Sequence, residues 1–157
     1  MKQSLFLLLI AGLLFGAQPR QQNTNVFENR MLATWDTGLL EEIVQDSSRY
    51  NLILFSASWC PPCIRIVPLL KEIYRDIGDK LIMTYVSVDE ERTAEAWRTK
   101  MRTNEIPWRS LMAWGRHAEI YSGPIPRAKL VHPNTMNWEF LDVRRERDRR
   151  RLYELVR

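Results

Sequence analysis

Cysteine is nearly absent from this chain: two residues in 157, Cys60 and Cys63. That scarcity argues against a scaffold stapled by disulfides, since an exported protein that uses cysteine for strength carries more of it. It also leaves a zinc site short of ligands. Four are needed, and the two histidines, His117 and His132, stand far from the pair without ligand spacing. No metal and no other cofactor is expected. Internal repeats and low-complexity tracts are missing as well. No apolar run is long enough for a comfortable membrane span. The net charge of +4 is mild and sits toward the C-terminus.

The length fits one domain, and an apolar share of 45 % is enough for a real core. The first residues read as a targeting segment. Lys2 gives a positive start, Leu5 to Leu14 is apolar, and Phe15-Gly16-Ala17 supplies small residues before Gln18. This is the plan of a secretory signal peptide. Residues 1–17 are therefore expected to be removed, with an uncleaved anchor as the alternative. No cysteine follows to carry a lipid. Residues 18–33 are expected to be a flexible lead, and 34–157 the folded domain. A periplasmic or secreted location follows.

The two cysteines sit in Ser58-Trp59-Cys60-Pro61-Pro62-Cys63, after the apolar run Leu52-Ile53-Leu54-Phe55 and before a helical pattern from Ile64. A strand that ends in C-x-x-C and enters a helix is a dithiol–disulfide site. Two intervening residues in a first helical turn bring both sulfurs to one end of the helix. Cys60 lies at the helix start, where free N–H groups and the dipole favour a thiolate; Cys63 is one turn in. Cys60 is thus the expected attacker and Cys63 the resolving thiol. Pro61 and Pro62 act as a stiff spacer at positions where a missing N–H costs little. A structural disulfide is the competing reading, but closing so short a loop removes little unfolded-state entropy.

Phe55 to Cys63 resembles the active-site segment of the thioredoxin-like superfamily. The Trp-Cys-Pro-Pro-Cys form is similar to the tryparedoxin and nucleoredoxin group, and occurs also in extracytoplasmic proteins of the TlpA/ResA type. The resemblance covers residues 34–157. It implies an α/β thioredoxin-like fold: a mixed central sheet flanked by helices, with an insertion before the cis-proline strand.

The chain order fits that plan. Met31 to Thr34 is a possible short edge strand. Thr37 to Gln45 has a helical apolar face, and Tyr50 to Ser56 reads as a central strand covered on both sides. Cys60 to Ile77 reads as one long helix bent at Pro68 and ended by Gly78. Lys80 to Val88 is a strand. Asp89-Glu90-Glu91 opens a helix whose inner side holds Ala94, Trp97 and Met101. Asn104 to Trp108 reads as a loop and Leu111 to Trp114 as a short turn or helix. Ala128–Val131 and Asn137–Val143 make an antiparallel hairpin around His132–Thr135, and a charged helix follows from Arg144.

The resemblance also implies a cis proline facing the cysteines, whose backbone docks an extended client. Pro126 fits by position, just before the strand Ala128–Val131; Pro107 is the weaker candidate. Ile125, Pro126, Arg127 and the flanking Trp59 are the expected docking residues. Arg127 either faces the sulfurs, favouring a thiolate, or turns to water to meet an acidic partner. Two carboxylates familiar in this superfamily are missing. Leu54 stands six residues before Cys60, where many thioredoxins have aspartate, and Ile66 three after Cys63, where the TlpA/ResA group often has glutamate. Glu90, Glu91 and Glu95 are the substitutes considered. Trp108 and Trp114 either pack in the core or line a peptide groove. The arginine-rich run 144–151 reads as a solvated helix face rather than a nucleic-acid site, with an anionic partner or membrane surface as the second reading.

The function expected is a protein thiol–disulfide oxidoreductase, more reductase than oxidant, acting as a monomer on disulfide-bearing clients with a membrane or periplasmic thiol donor. The alternative is a non-enzymatic binding domain on the same scaffold.

Overall fold

A computed structural model of the chain describes residues 43, 44, 46–112, 123–135 and 137–157. The expected signal peptide, the lead, the strand near 31–34, most of the helix 37–45, Trp35, Trp114 and His117 lie outside them. Ile43 alone represents that first helix; it is helical and fully buried.

A five-stranded mixed sheet forms the middle of the molecule, in the order β3-β2-β1-β4-β5. Strand β1 (Tyr50–Ser56) is central because nearly all of it is apolar and buried. Its side chains alternate between faces. Leu52 and Leu54 enter one core, while Ile53 and Phe55 enter the other with Ala57, Cys60 and Cys63. The chain leaves β1 through helix α1 (Pro61–Arg65) and helix α2 (Val67–Ile77) and returns in β2 (Leu81–Ser87), parallel to β1 with Tyr50 opposite Leu81 and Ser56 opposite Ser87. Leu70, Ile73 and Ile77 form the buried stripe of α2.

The single bent helix expected over Cys60–Ile77 is two helices, interrupted at Ile66. Pro68 has no N–H to bond back to the carbonyl of Ile64, so the ladder breaks one turn before it. Gly78 does end α2, but with φ of −66°, not in the left-handed region. It is needed for space: a Cβ there would press on the carbonyl of Tyr74.

After β2, a 3-10 turn (Glu91–Thr93) leads into helix α3 (Ala94–Thr103), whose Ala94, Trp97 and Met101 are buried as the pattern predicts. The next segment corrects the sequence reading. Of the run Leu111–Trp114, read as a short turn or helix, Leu111 and Met112 belong instead to strand β3 (Arg109–Met112), parallel to β2, and Ala113 and Trp114 lie outside the described residues. An apolar run of this length carries no periodicity that separates strand from helix. Trp108, just before β3, is in the core, its ring 5.3 Å from that of Tyr85 and 5.7 Å from that of Tyr74. It lines no peptide groove.

Strand β4 (Arg127–Val131) runs antiparallel to β1, and β5 (Trp138–Leu141) antiparallel to β4, with Val131 opposite Trp138. Helix α4 (Glu146–Val156) closes the fold by burying Leu152 and Val156 in the same core as Leu52, Leu54 and Leu70. Each such fully buried side chain stabilises the fold by about 1.5–3 kcal/mol relative to exposure.

Candidate functional site

The site lies where β1 ends. Its last carbonyl, that of Ser56, accepts the N–H of Val88 at 2.9 Å, so the loops after β1 and β2 leave the sheet side by side. Ala57 is buried and its carbonyl accepts the N–H of Cys60 at 3.2 Å. This turn pushes Trp59 outward, 61 % exposed, and turns Cys60 in. Cys60 and Cys63 are joined by a disulfide.

Cys60 is the N-cap of α1. Pro61 and Pro62 occupy the first helical turn and bring no N–H. The N–H of Cys63 donates to the Cys60 Sγ at 3.2 Å and also to its carbonyl oxygen at 3.0 Å. When the bond is reduced, that donor points at the sulfur that would carry the charge. Cys63 is more deeply covered, 1 % exposed.

Across from the disulfide stands the cis peptide bond, Ile125–Pro126. The carbonyl oxygen of Ile125 lies 3.9 Å from the Sγ of Cys60. Among the described residues this is the cis bond, and Pro107 is not part of one. The structure thus brings Cys60, Cys63, Ile125 and Pro126 together from two distant segments.

Arg127 resolves differently from either expectation. Its guanidinium lies over the ring of Phe140, 4.0 Å from the centroid, a cation–π contact on the β4–β5 face. Two residues along β4, Lys129 is buried and lies 4.1 Å over Trp138. Burial lowers the Lys129 pKa from its ordinary value.

The carboxylates considered as proton relays point elsewhere. Glu90 pairs with Arg92 at 2.6 Å, and Glu95 with Arg98 and Arg102; Glu91 is exposed. Leu54 and Ile66 are buried in the core, as apolar as their sequence positions imply. His132 sits at the opposite end of the sheet, beside Tyr50, with Glu139 at 3.0 Å.

Sequence reasoning missed Asp89. Taken as the first residue of a helix, it lies instead before the 3-10 turn and is fully buried. Its carboxylate accepts the N–H of Ser58 at 2.7 Å, the Ser58 hydroxyl at 2.5 Å and the Ser87 hydroxyl at 2.7 Å. It ties the end of β2 to the residue two before Cys60. The signal available was an acid directly after an apolar strand, flanked by serines on both segments.

A model of the thioredoxin family matches residues 32–135. Thioredoxin of Rhodospirillum rubrum is 30 % identical over 90 residues, covering 57 % of this chain and 84 % of that one. Thioredoxin Y of the rice chloroplast is 25 % identical over 121 residues, 77 % of this chain and 69 % of the relative. Among solved structures, a thiol-disulfide oxidoreductase from Bacteroides fragilis superposes with a TM-score of 0.59 at 27 % identity, covering 69 % of this chain and 82 % of the other. The thioredoxin domain of a Bacteroides vulgatus oxidoreductase has the same fold, with a TM-score of 0.61 at 19 % identity over 71 % of this chain and 81 % of that one. This chain belongs to the thioredoxin family, and its Cys60–Cys63 pair makes it a protein thiol–disulfide oxidoreductase.

Proposed function

We propose that the protein is a TlpA/ResA-type reductase of protein disulfides that works outside the cytoplasm, after loss of residues 1–17 and with 18–33 as a flexible lead to the domain 34–157. The observation that carries it is the disulfide at the start of α1 opposite the Ile125–Pro126 carbonyl segment. In the reduced protein the Cys60 thiolate attacks one sulfur of a client disulfide, and the client's other sulfur leaves as a thiolate. Cys63, deprotonated, then attacks the Cys60 Sγ. The client leaves with both cysteines reduced, and Cys60–Cys63 closes again. Two electrons pass to the client, so a thiol donor must reload the protein each cycle. The client's backbone lies along Ile125 and Pro126, with Trp59 and Arg127 on either side. With Leu54 and Ile66 at the two familiar carboxylate positions, water takes the Cys63 proton.

The direction follows from how few donors reach Cys60. Pro61 and Pro62 have no N–H and no polar side chain, whereas a strong oxidant of this fold stabilises its reduced thiolate heavily. The hydrogen bond from Cys63 N–H works the other way, but it is one neutral donor. Arg127 adds less than its charge suggests, since its guanidinium stacks on Phe140. The extracytoplasmic location is supported by the apolar stretch Leu5 to Leu14 after Lys2.

Two measurements test the reading. Catalysis of insulin disulfide reduction above the chemical reductant alone is expected; none, from protein shown to cycle between dithiol and disulfide, would return it to the class of binding domains. A redox titration against glutathione should give a potential near about −250 mV or lower, and a value near about −120 mV would make the protein an oxidant.

A further inference from the structure

We propose that the groove beside the cis-proline strand binds acidic residues of the client, flanking the cysteine under exchange. This rests on the oxidoreductase reading above and adds the class of client.

The groove has a volume of about 510 Å³ and is lined on one side by Pro126 and Arg127, which follow in the chain the Ile125 carbonyl that faces Cys60. Its far wall is β5 and the start of α4. Five arginines line it against three carboxylates, a surplus of two positive charges. The surplus understates what a client meets. The carboxylates of Asp142, Asp148 and Glu139 are 13–32 % exposed, while the guanidinium side chains of Arg144, Arg145, Arg147 and Arg151 are 46–83 % exposed. Acids form the floor and cations the rim.

The floor is already occupied. Asp142 takes two hydrogen bonds of 2.8 Å from Arg144, and Asp148 accepts the N–H of Asp142 at 2.9 Å. Those bonds hold both carboxyls below the usual carboxylate range, Asp142 chiefly through Arg144 and Asp148 chiefly through the Asp142 N–H. Arg145 reaches the same Asp142 only at 3.7 Å, where Arg144 has already taken its oxygens. Each guanidinium has five N–H donors in a fixed fork. Arg147 gives one of its own, the Nε–H, to Asp148 at 3.2 Å, and the side chains of Arg145 and Arg147 are two-thirds or more exposed. A client carboxylate would find them pre-positioned and only partly neutralised. A recess continuous with the client-docking strand fits a polypeptide better than a flat lipid surface.

The test uses three fluorescent peptides of equal length. Each has one cysteine capped as a mixed disulfide with the neutral leaving group 2-thiopyridine, flanked on both sides by Glu, by Gln or by Lys. Reduced full-length mature protein is mixed with each, and release of thiopyridone gives kcat/KM. The Glu peptide should react faster than Gln, and Gln faster than Lys. The Glu-to-Lys ratio should be about threefold to tenfold at low salt and shrink as salt rises, as rim ion pairs do. In R145E/R147E the ratio should invert. Both positions are exposed at the start of α4, and a matching circular dichroism melt confirms folding; R145Q/R147Q, which should bring the ratio near one, serves if it does not.

Equal rates for all three peptides overturn the proposal. A Glu preference that survives both double variants overturns it too, because the charge read is then elsewhere. Arginine-dependent binding to equimolar phosphatidylcholine–phosphatidylserine vesicles, with no order among the peptides, assigns the patch to a membrane instead. If no peptide reacts faster than with dithiothreitol at equal thiol, it is the oxidoreductase reading that fails. The groove is then judged by fluorescence anisotropy of the same peptides with Ser for Cys, where Glu must again bind tighter than Lys.

Discussion

Asp89 accepts both the backbone N–H and the hydroxyl of Ser58, at 2.7 and 2.5 Å, across 31 residues of chain. The carboxylate is fully buried and Ser58 half-buried, so the acceptor side of these bonds is shielded from water. They hold the loop that carries Trp59 and Cys60 against the end of β2. Asp89→Ala leaves the Ser58 N–H and two hydroxyls without their acceptor and should cost about 3 kcal/mol in urea unfolding at neutral pH. Ser58→Ala removes one hydroxyl and should cost about 1 kcal/mol. A positioning role predicts more than lost stability. In folded Asp89→Ala the pH profile of Cys60 alkylation should shift, because the loop ahead of the thiolate is no longer fixed. An unchanged profile beside a large stability loss would leave Asp89 a structural residue only.

Trp108 separates core from groove. Its ring packs between Tyr74 and Tyr85 and is 4 % exposed. Trp108→Ala should destabilise by about 3–5 kcal/mol, the cost of a large core truncation. The protein that remains folded should reduce insulin with an unchanged KM. A raised KM without loss of stability would put Trp108 on the client surface.

Most of the framework was legible because its signals are local or strongly patterned. Tyr50–Ser56 has the unbroken apolar run Leu52–Phe55 at its middle and a polar turn before it, and the strand begins and ends there. The order of strands after it favours Pro126 over Pro107, and the cis bond is at Pro126. The misses have a common cause, which is that their reasons are non-local. Arg109–Met112 becomes a strand because β2 offers it an edge, with Thr84 opposite Arg109. Asp89 looks like a helix-opening acid until Ser58 is brought to it from the other loop. The basic run at 144–151 does form a mostly solvated helix face. Its link to Arg127 appears only when β5 and α4 fold back beside β4.

Acid should loosen the β5–α4 junction. Asp148 has a lowered pKa in the fold, chiefly because it accepts the N–H of Asp142, with Arg147 adding to it. A carboxyl whose folded pKa lies below its unfolded value contributes stability that is fully present above the unfolded value, about 3.9. That stability is lost as pH falls through the folded value. Asp148→Asn should therefore be less stable than the parent by about 1 kcal/mol at pH 7. The gap should close on the way down to about pH 2. A gap that stays constant over that range would show that its charge is not what holds the junction.

The two sulfurs should prove unequal in the direction their surroundings dictate. Cys60 caps α1 and receives the Cys63 N–H at 3.2 Å, next to exposed Trp59 and the Ile125 carbonyl. Cys63 is inside the helix and almost fully covered. Both residues are buried, Cys60 at 5 % and Cys63 at 1 % exposure, so a client disulfide should meet the Cys60 sulfur first. Cys63→Ala should accumulate a mixed disulfide between Cys60 and the client, resolvable on a non-reducing gel, because nothing is left to attack the Cys60 sulfur. Cys60→Ala should accumulate little. In the reduced parent, iodoacetamide should label Cys60 with a pKa below the free-thiol value of about 8.5, and Cys63 more slowly. Equal trapping by the two variants would contradict the assignment of roles. Preferential trapping by Cys60→Ala would reverse it, and would require α1 to open before each turnover.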